Sequence, residues 1–144
     1  MTLTTALQQT VEDFQAMEEQ DRLQLLLEFS EELPPLPQHY ADHPDLLERV
    51  AECQSPVFLF VDVADGRVHV HATAPAEAPT TRGFASILAQ GLEGVAVEEA
   101  LAVPSDFPRE LGLDRVVSPL RLRGMVGMLG RIQRQIRERV ASLR

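Results

Sequence analysis

Apolar residues recur at helical spacing in the first part of the chain. Leu7, Val11, Phe14 and Met17 do so from about residue 4 to 17, and Leu23, Leu26, Leu27 and Phe29 within about 19–32. With polar residues between them, this spacing predicts two amphipathic helices whose stripes pack into a core. The second is predicted to stop at Leu33-Pro34-Pro35-Leu36-Pro37, because proline removes backbone donors and biases each preceding residue away from helix. From Leu33 to about Leu46 a Pro- and His-rich connection has no clear period, and its length points to an ordered functional loop. Residues 46–50 read as a short helical turn.

The period then changes from helical to alternating. Residues 56–63 form an apolar, β-rich run; Ala64-Asp65-Gly66-Arg67 supplies a turn; and Val68, Val70 and Ala72 alternate with His69, His71 and Thr73. Two such runs joined by Asp-Gly predict a β-hairpin. Any third strand is expected from the margins of this region. After a Pro-containing loop, Thr80 or Thr81 can cap a helix carrying Phe84, Ile87, Leu88 and Leu92. Short helices are expected at 97–102 and at 105–111, the latter with Ser105 as N-cap and Gly112 at its stop. Ser118-Pro119 then opens a long helix towards Leu143 that buries Leu122, Met125, Met128, Leu129, Ile132, Ile136 and Val140. Gly124, Gly127 and Gly130 recur along it and permit close approach of another backbone. Helices, then a central antiparallel hairpin or small sheet, then helices packed on it: the order predicts an α+β fold rather than alternating βαβ units. Residues 1–144 read as one domain, with no linker and no repeat.

Charge adds an asymmetry to this plan. The net charge is −9, and all 13 basic residues are arginine. Carboxylates crowd the first half, whereas Arg121, Arg123, Arg131, Arg134, Arg137 and Arg139 lie in the last helix, where they suit an acidic partner or the domain's own acidic helices. The acidic whole argues against nucleic-acid binding. No apolar run approaches the roughly 18 residues that span a bilayer. Met1–Thr5 lacks a basic segment leading into an apolar one, so no signal peptide is expected, and the chain reads as cytoplasmic. One cysteine allows no internal disulfide, which fits a reducing compartment.

Candidate chemistry is sparse. His69 and His71 share a strand face at a spacing that can bind metal, with Asp62 opposite, but a solvated polar face is the simpler reading. His39 and His43 flank loop residues. No phosphate loop, nucleophile elbow or HExxH pattern is present. The lone thiol, Cys53, sits where the irregular segment enters the first strand. On residue type alone, Cys53 is either a small buried hydrophobe or a nucleophile, possible partners being the four histidines.

Its neighbourhood narrows the choice. Leu33-Pro34-Pro35-Leu36-Pro37, followed by Glu48-Arg49-Val50-Ala51-Glu52-Cys53-Gln54-Ser55-Pro56-Val57-Phe58, resembles the SufE family of sulfur-acceptor proteins. That family carries an LPxLP-like segment and an N-R-V-x-G-C-x-S-x-V-W pattern. Arg82-Gly83, Asp106-Phe107, Leu111-Gly112-Leu113 and Ser118-Pro119-Leu120-Arg121-Leu122-Arg123-Gly124-Met125 extend the resemblance in order over nearly the whole chain.

The resemblance implies a SufE-like fold with Cys53 on an exposed loop tip. It also implies that Cys53 takes persulfide sulfur from a SufS-type cysteine desulfurase, raises its turnover and delivers sulfur to an iron–sulfur scaffold such as SufBCD. The protein would then be an accessory to the desulfurase, with no cofactor beyond a transient persulfide, since pyridoxal phosphate belongs to the partner. A monomer or weak dimer is expected, with no nucleic acid and no membrane. Arg121 matches the family's arginine and is the second site candidate, for docking or for supporting the thiolate; Arg49 and Arg82 are further candidates of that kind. Glu48, Glu52 and Phe58 stand where the family has asparagine, glycine and tryptophan. If position 52 needs positive φ, Glu52 is strained there, and its charge opposes a thiolate it faces. Two other readings remain: a thiol-dependent hydrolase or transferase pairing Cys53 with a histidine, and a catalytically inert SufE-like interaction domain.

Overall fold

The computed structural model describes residues 3–143; Met1 and Thr2, part of the stretch read above for a signal peptide, and Arg144, at the end of the 1–144 domain, lie outside them. Helices α1 (Thr5–Gln15) and α2 (Glu19–Glu31) form the first pair. Thr4 caps α1 by accepting from the Leu7 N–H, and Phe14 of α1 stacks on Phe29 of α2 at 6.0 Å. The Pro-rich connection is not structureless. It holds the short helix α3 (Gln38–Asp42) and a 3-10 turn at Pro44–Leu46.

The helical turn expected at 46–50 is a correction. Glu48–Arg49 is instead a two-residue strand, β1, pairing antiparallel with β2 (Phe58–Ala64), which pairs in turn with β3 (Arg67–Thr73). Its pairing partner is about ten residues away, a relation local periodicity does not reveal. Asp65 and Gly66 turn the β2–β3 hairpin with φ of 53° and 73°, the left-handed pair that a two-residue hairpin requires.

Helix α4 (Pro79–Leu92) lies at the centre, packed by α1 and α2 on one side and by β3 on the other. It begins at Pro79 with no side-chain cap, so Thr80 and Thr81 fall inside it. Two glycines let the helices meet: a Cβ on Gly83 would lie 2.5 Å from the Leu26 carbonyl oxygen, and one on Gly91 would overlap Leu7. Helix α5 (Val97–Leu101) follows, then a 3-10 turn at Phe107–Leu111 with Asp106 rather than Ser105 at its N-cap position and Gly112 ending it at φ 65°. The last helix, α6 (Pro119–Ser142), starts at Ser118, whose hydroxyl accepts from the Arg121 N–H.

Helix α6 runs along the outer side of β2. Where β1 gives out, Gln135 accepts from the Val61 N–H at 2.8 Å and Arg139 donates to the Val61 carbonyl at 3.1 Å. Two side chains thus take the place of a neighbouring strand. Another face of α6 is held by Gln133, buried and donating to the Ala100 and Val103 carbonyls. The architecture is α+β, with a three-stranded antiparallel sheet between N-terminal and C-terminal helices. Among the described residues no helix is long and apolar enough to cross a membrane.

Candidate functional site

Cys53 lies in the loop between β1 and β2. Val50 and Val57, both fully buried, anchor the two ends of that loop, and the Val50 N–H donates to the Val57 carbonyl at 2.9 Å. The Cys53 N–H closes a turn onto the Val50 carbonyl. The loop lies against α6: the Cys53 Sγ is 3.7 Å from the Gly124 carbonyl oxygen, and the residue is 6% exposed. The exposed tip implied by the family resemblance is therefore corrected to a seated, buried thiol. The reason is the glycine spacing of α6. A Cβ on Gly124 would come within 3.0 Å of the Cys53 Sγ, and one on Gly127 within 2.7 Å of the Glu52 Cγ. Gly130 has open space beside it, so it takes no part in the seat.

Burial disfavours the charged form of a thiol. It pushes Cys53 up to about 11, aided by the negative charge of Glu52 and opposed by Arg131. The expectation that Glu52 acts against a thiolate holds in direction. The strain expected at Glu52 does not arise, because among the described residues Asp65 is the one non-glycine residue at positive φ.

Glu52 is engaged by α6. Arg131 donates through Nε to Glu52 at 2.8 Å and through Nη1 to Glu48 at 2.5 Å. Arg134 also pairs with Glu48 and with Glu138, and Gln135 donates to Glu48 at 2.8 Å. Burial pushes the Glu48 carboxyl up, but hydrogen bonds from Arg134, Arg131 and Gln135 outweigh it and hold the carboxyl low. The Arg131 hydrogen bond likewise holds Glu52 low. The basic helix does meet the domain's own carboxylates, though those of β1 and the cysteine loop rather than of the N-terminal helices.

A cavity of about 190 Å³ opens beside the thiol, lined by Glu52–Ser55, Glu77–Thr81, Leu120, Arg121 and Gly124. Arg121 thus faces the same space as Cys53, its Nη1 3.5 Å from the Thr80 hydroxyl. The other two arginine candidates are not brought there. Arg82 donates to the Ser30 and Ala74 carbonyls, tying α2 to the loop after β3. Arg49 is exposed on β1. Sequence reasoning missed Arg131 as the cation acting on the thiol. The available signal was that positions 124, 127 and 131 share one helical face.

The histidines lie elsewhere. None lines the cysteine's cavity. Helix α3 brings His39 and His43 to 5.0 Å after all, and Tyr40 between them stacks on His71 at 4.7 Å and leans on Phe60. His69 meets Glu93 at 2.6 Å. A Cys–His pair needs the base within hydrogen-bond reach, and the one side-chain hydrogen bond Cys53 makes among the described residues is to Gly124. Among the described residues no group of three His, Cys, Asp or Glu side chains is close enough to hold a metal ion.

The chain is similar to known proteins over nearly its whole length. The sequence pattern of a family described as SufE, Fe-S metabolism associated domain, matches residues 8–136. A Mycobacterium tuberculosis protein described as an uncharacterized SufE-like protein is 57% identical over 137 residues, 94% of either chain. SufE-like protein 1 of Arabidopsis thaliana, chloroplastic/mitochondrial, is 30% identical over 134 residues, covering 92% of this chain and 35% of that longer one. The solution structure of a hypothetical protein from Thermus thermophilus is 40% identical and superposes with a TM-score of 0.84 over 96% of this chain and 98% of that one.

Proposed function

Since the chain belongs to the SufE family, which is associated with Fe-S metabolism, we propose that Cys53 accepts sulfane sulfur from the persulfide of a SufS-type cysteine desulfurase and passes it on for iron–sulfur cluster assembly. The observation that carries this reading is the placement of the chain's single thiol, in a loop between paired strands and beside an open cavity. The thiolate is the reactive form. It attacks the terminal sulfur of the donor's Cys–S–SH, forming a new S–S bond on Cys53 as the donor's own S–S bond breaks. The donor leaves as a thiolate and takes up a proton, so no oxidant or reductant is needed. A protein with one cysteine has no second thiol to collapse the persulfide into an internal disulfide.

Burial raises the proton affinity of the seated thiol further above neutral pH, and the side chain is packed against α6. The reading therefore requires the loop to leave α6 during transfer. Once out, the thiol regains an ordinary acidity and reach. In this reading Arg121, which lines the same cavity, stabilises the persulfide anion or meets the partner.

Mixing the protein with a SufS-type desulfurase and L-cysteine, without reductant, tests this. Intact-mass measurement is expected to find an adduct of about 32 Da, one sulfur atom, on wild type and not on Cys53→Ser, together with faster desulfurase turnover. An Arg121→Ala variant is expected to keep the fold and lose part of the stimulation. Absence of both adduct and stimulation for wild type would exclude the carrier role, and full stimulation by Arg121→Ala would exclude the arginine.

A further inference from the structure

We propose that Arg131 is a positioning residue that latches the Cys53 loop onto α6 by pairing with Glu52 beside the thiol and with Glu48 on β1. The inference rests on the sulfur-carrier reading only for its use, since a carrier needs a thiol that is closed at rest and released for transfer. The latch itself follows from geometry. Gly124, Gly127 and Arg131 lie at successive turns on one face of α6. Gly124 makes room for the Cys53 Sγ and Gly127 for the Glu52 side chain. With Glu52 laid against the helix, its carboxylate meets the Arg131 Nε at 2.8 Å, while the same guanidinium reaches Glu48 at 2.5 Å. One side chain thus ties the strand before the loop and the residue before the thiol to a single helical turn.

The hydrogen bonds of the loop's own backbone run within it, Val50 to Val57 and Cys53 to Val50. They shape the loop without fastening it to α6. Fastening falls to the long Sγ–Gly124 contact, the packing and the ion pairs. The Arg131 and Glu48 side chains are 26% exposed and that of Glu52 is 42% exposed. Pairs this accessible are weak, as a latch that opens on docking has to be.

Through-space electrostatics and latching make opposite predictions for Arg131→Gln, which allows a clean test. Glu52 raises and Arg131 lowers the proton affinity of Cys53. If charge alone matters, Glu52→Gln speeds thiol labelling and Arg131→Gln slows it. A latch predicts that both speed it. Pseudo-first-order labelling of Cys53 with neutral iodoacetamide, followed by intact mass, reads the difference. Either variant is expected to label about two- to fivefold faster than wild type, the span that a partly exposed ion pair can hold, and the double variant no faster than the faster single one. Gly127→Ala keeps every charge but crowds Glu52 off the helix, so it is expected to speed labelling too, and it decides the matter if Arg131→Gln lowers the melting temperature. Slower labelling of Arg131→Gln with faster labelling of Glu52→Gln, or wild-type rates throughout, would overturn the latch. No desulfurase enters the assay, so its outcome stands whether or not Cys53 proves to carry sulfur.

Discussion

Cys53 holds its proton well above the pH at which an ordinary thiol releases it, through burial first and the neighbouring Glu52 second, with Arg131 pulling the other way. A folded state that binds a proton more tightly than the unfolded chain loses stability as pH rises past the unfolded pKa. The window runs from the ordinary value of 9.0 to about 11. Denaturant titrations across it are expected to show wild type losing up to about 3 kcal/mol relative to Cys53→Ala, as a shift of about two pH units implies. The loss levels off sooner if opening the loop costs less than this, because a released thiol titrates normally. The plateau therefore measures the cost of opening, and parallel curves for the two proteins would mean that Cys53 is not seated as described. At this scale the sequence was half legible. The charge effect of Glu52 follows from adjacency, whereas its partner Arg131 lies 79 residues away and its backbone conformation is seen only in the folded loop.

The long, periodic helices and the Asp-Gly hairpin were legible element by element, because each is set by local spacing or turn chemistry. Elements defined by distant partners were not: β1 is two residues long and exists through its pairing with Leu59 and Phe58, and α3 has no apolar stripe of its own and no buried residue. The glycines of α6 announced a close approach without saying to what. Those of α4 carried no such signal, although they set how closely the N-terminal helices lie. A methyl group at position 83 would meet the Leu26 backbone oxygen at 2.5 Å and its Cδ1 at 2.7 Å. A backbone atom cannot turn aside as a side chain can. Gly83→Ala is expected to destabilise the fold by about 1–3 kcal/mol, as overpacking does, despite the better helix propensity of alanine. Thermal melting checks this, and an unchanged or raised midpoint would show that α2 and α4 can separate without cost.

Across the whole molecule, α6 links the two halves of the design. Its N-terminal half seats the cysteine loop, and its C-terminal half takes the Val61 hydrogen bonds of β2 that β1 leaves free. The charge asymmetry seen in the sequence is resolved here as well. Arginines of α6 meet carboxylates of β1 and of the loop, while Arg121 remains at the cavity mouth. Beyond Leu59, where the pairing with β1 ends, β2 continues as Phe60-Val61-Asp62-Val63, and a strand edge of that kind, left bare, templates the strand of another chain. A helix offers no such template, so Gln135 and Arg139 end the ladder as a chain terminator ends a polymer. The double variant Gln135→Ala/Arg139→Ala is expected to scatter light on warming below its melting temperature where wild type stays clear; equal clarity would mean that the edge is blocked by other means. In those terms the terminal helix keeps this edge of β2 from becoming the first rung of a fibre.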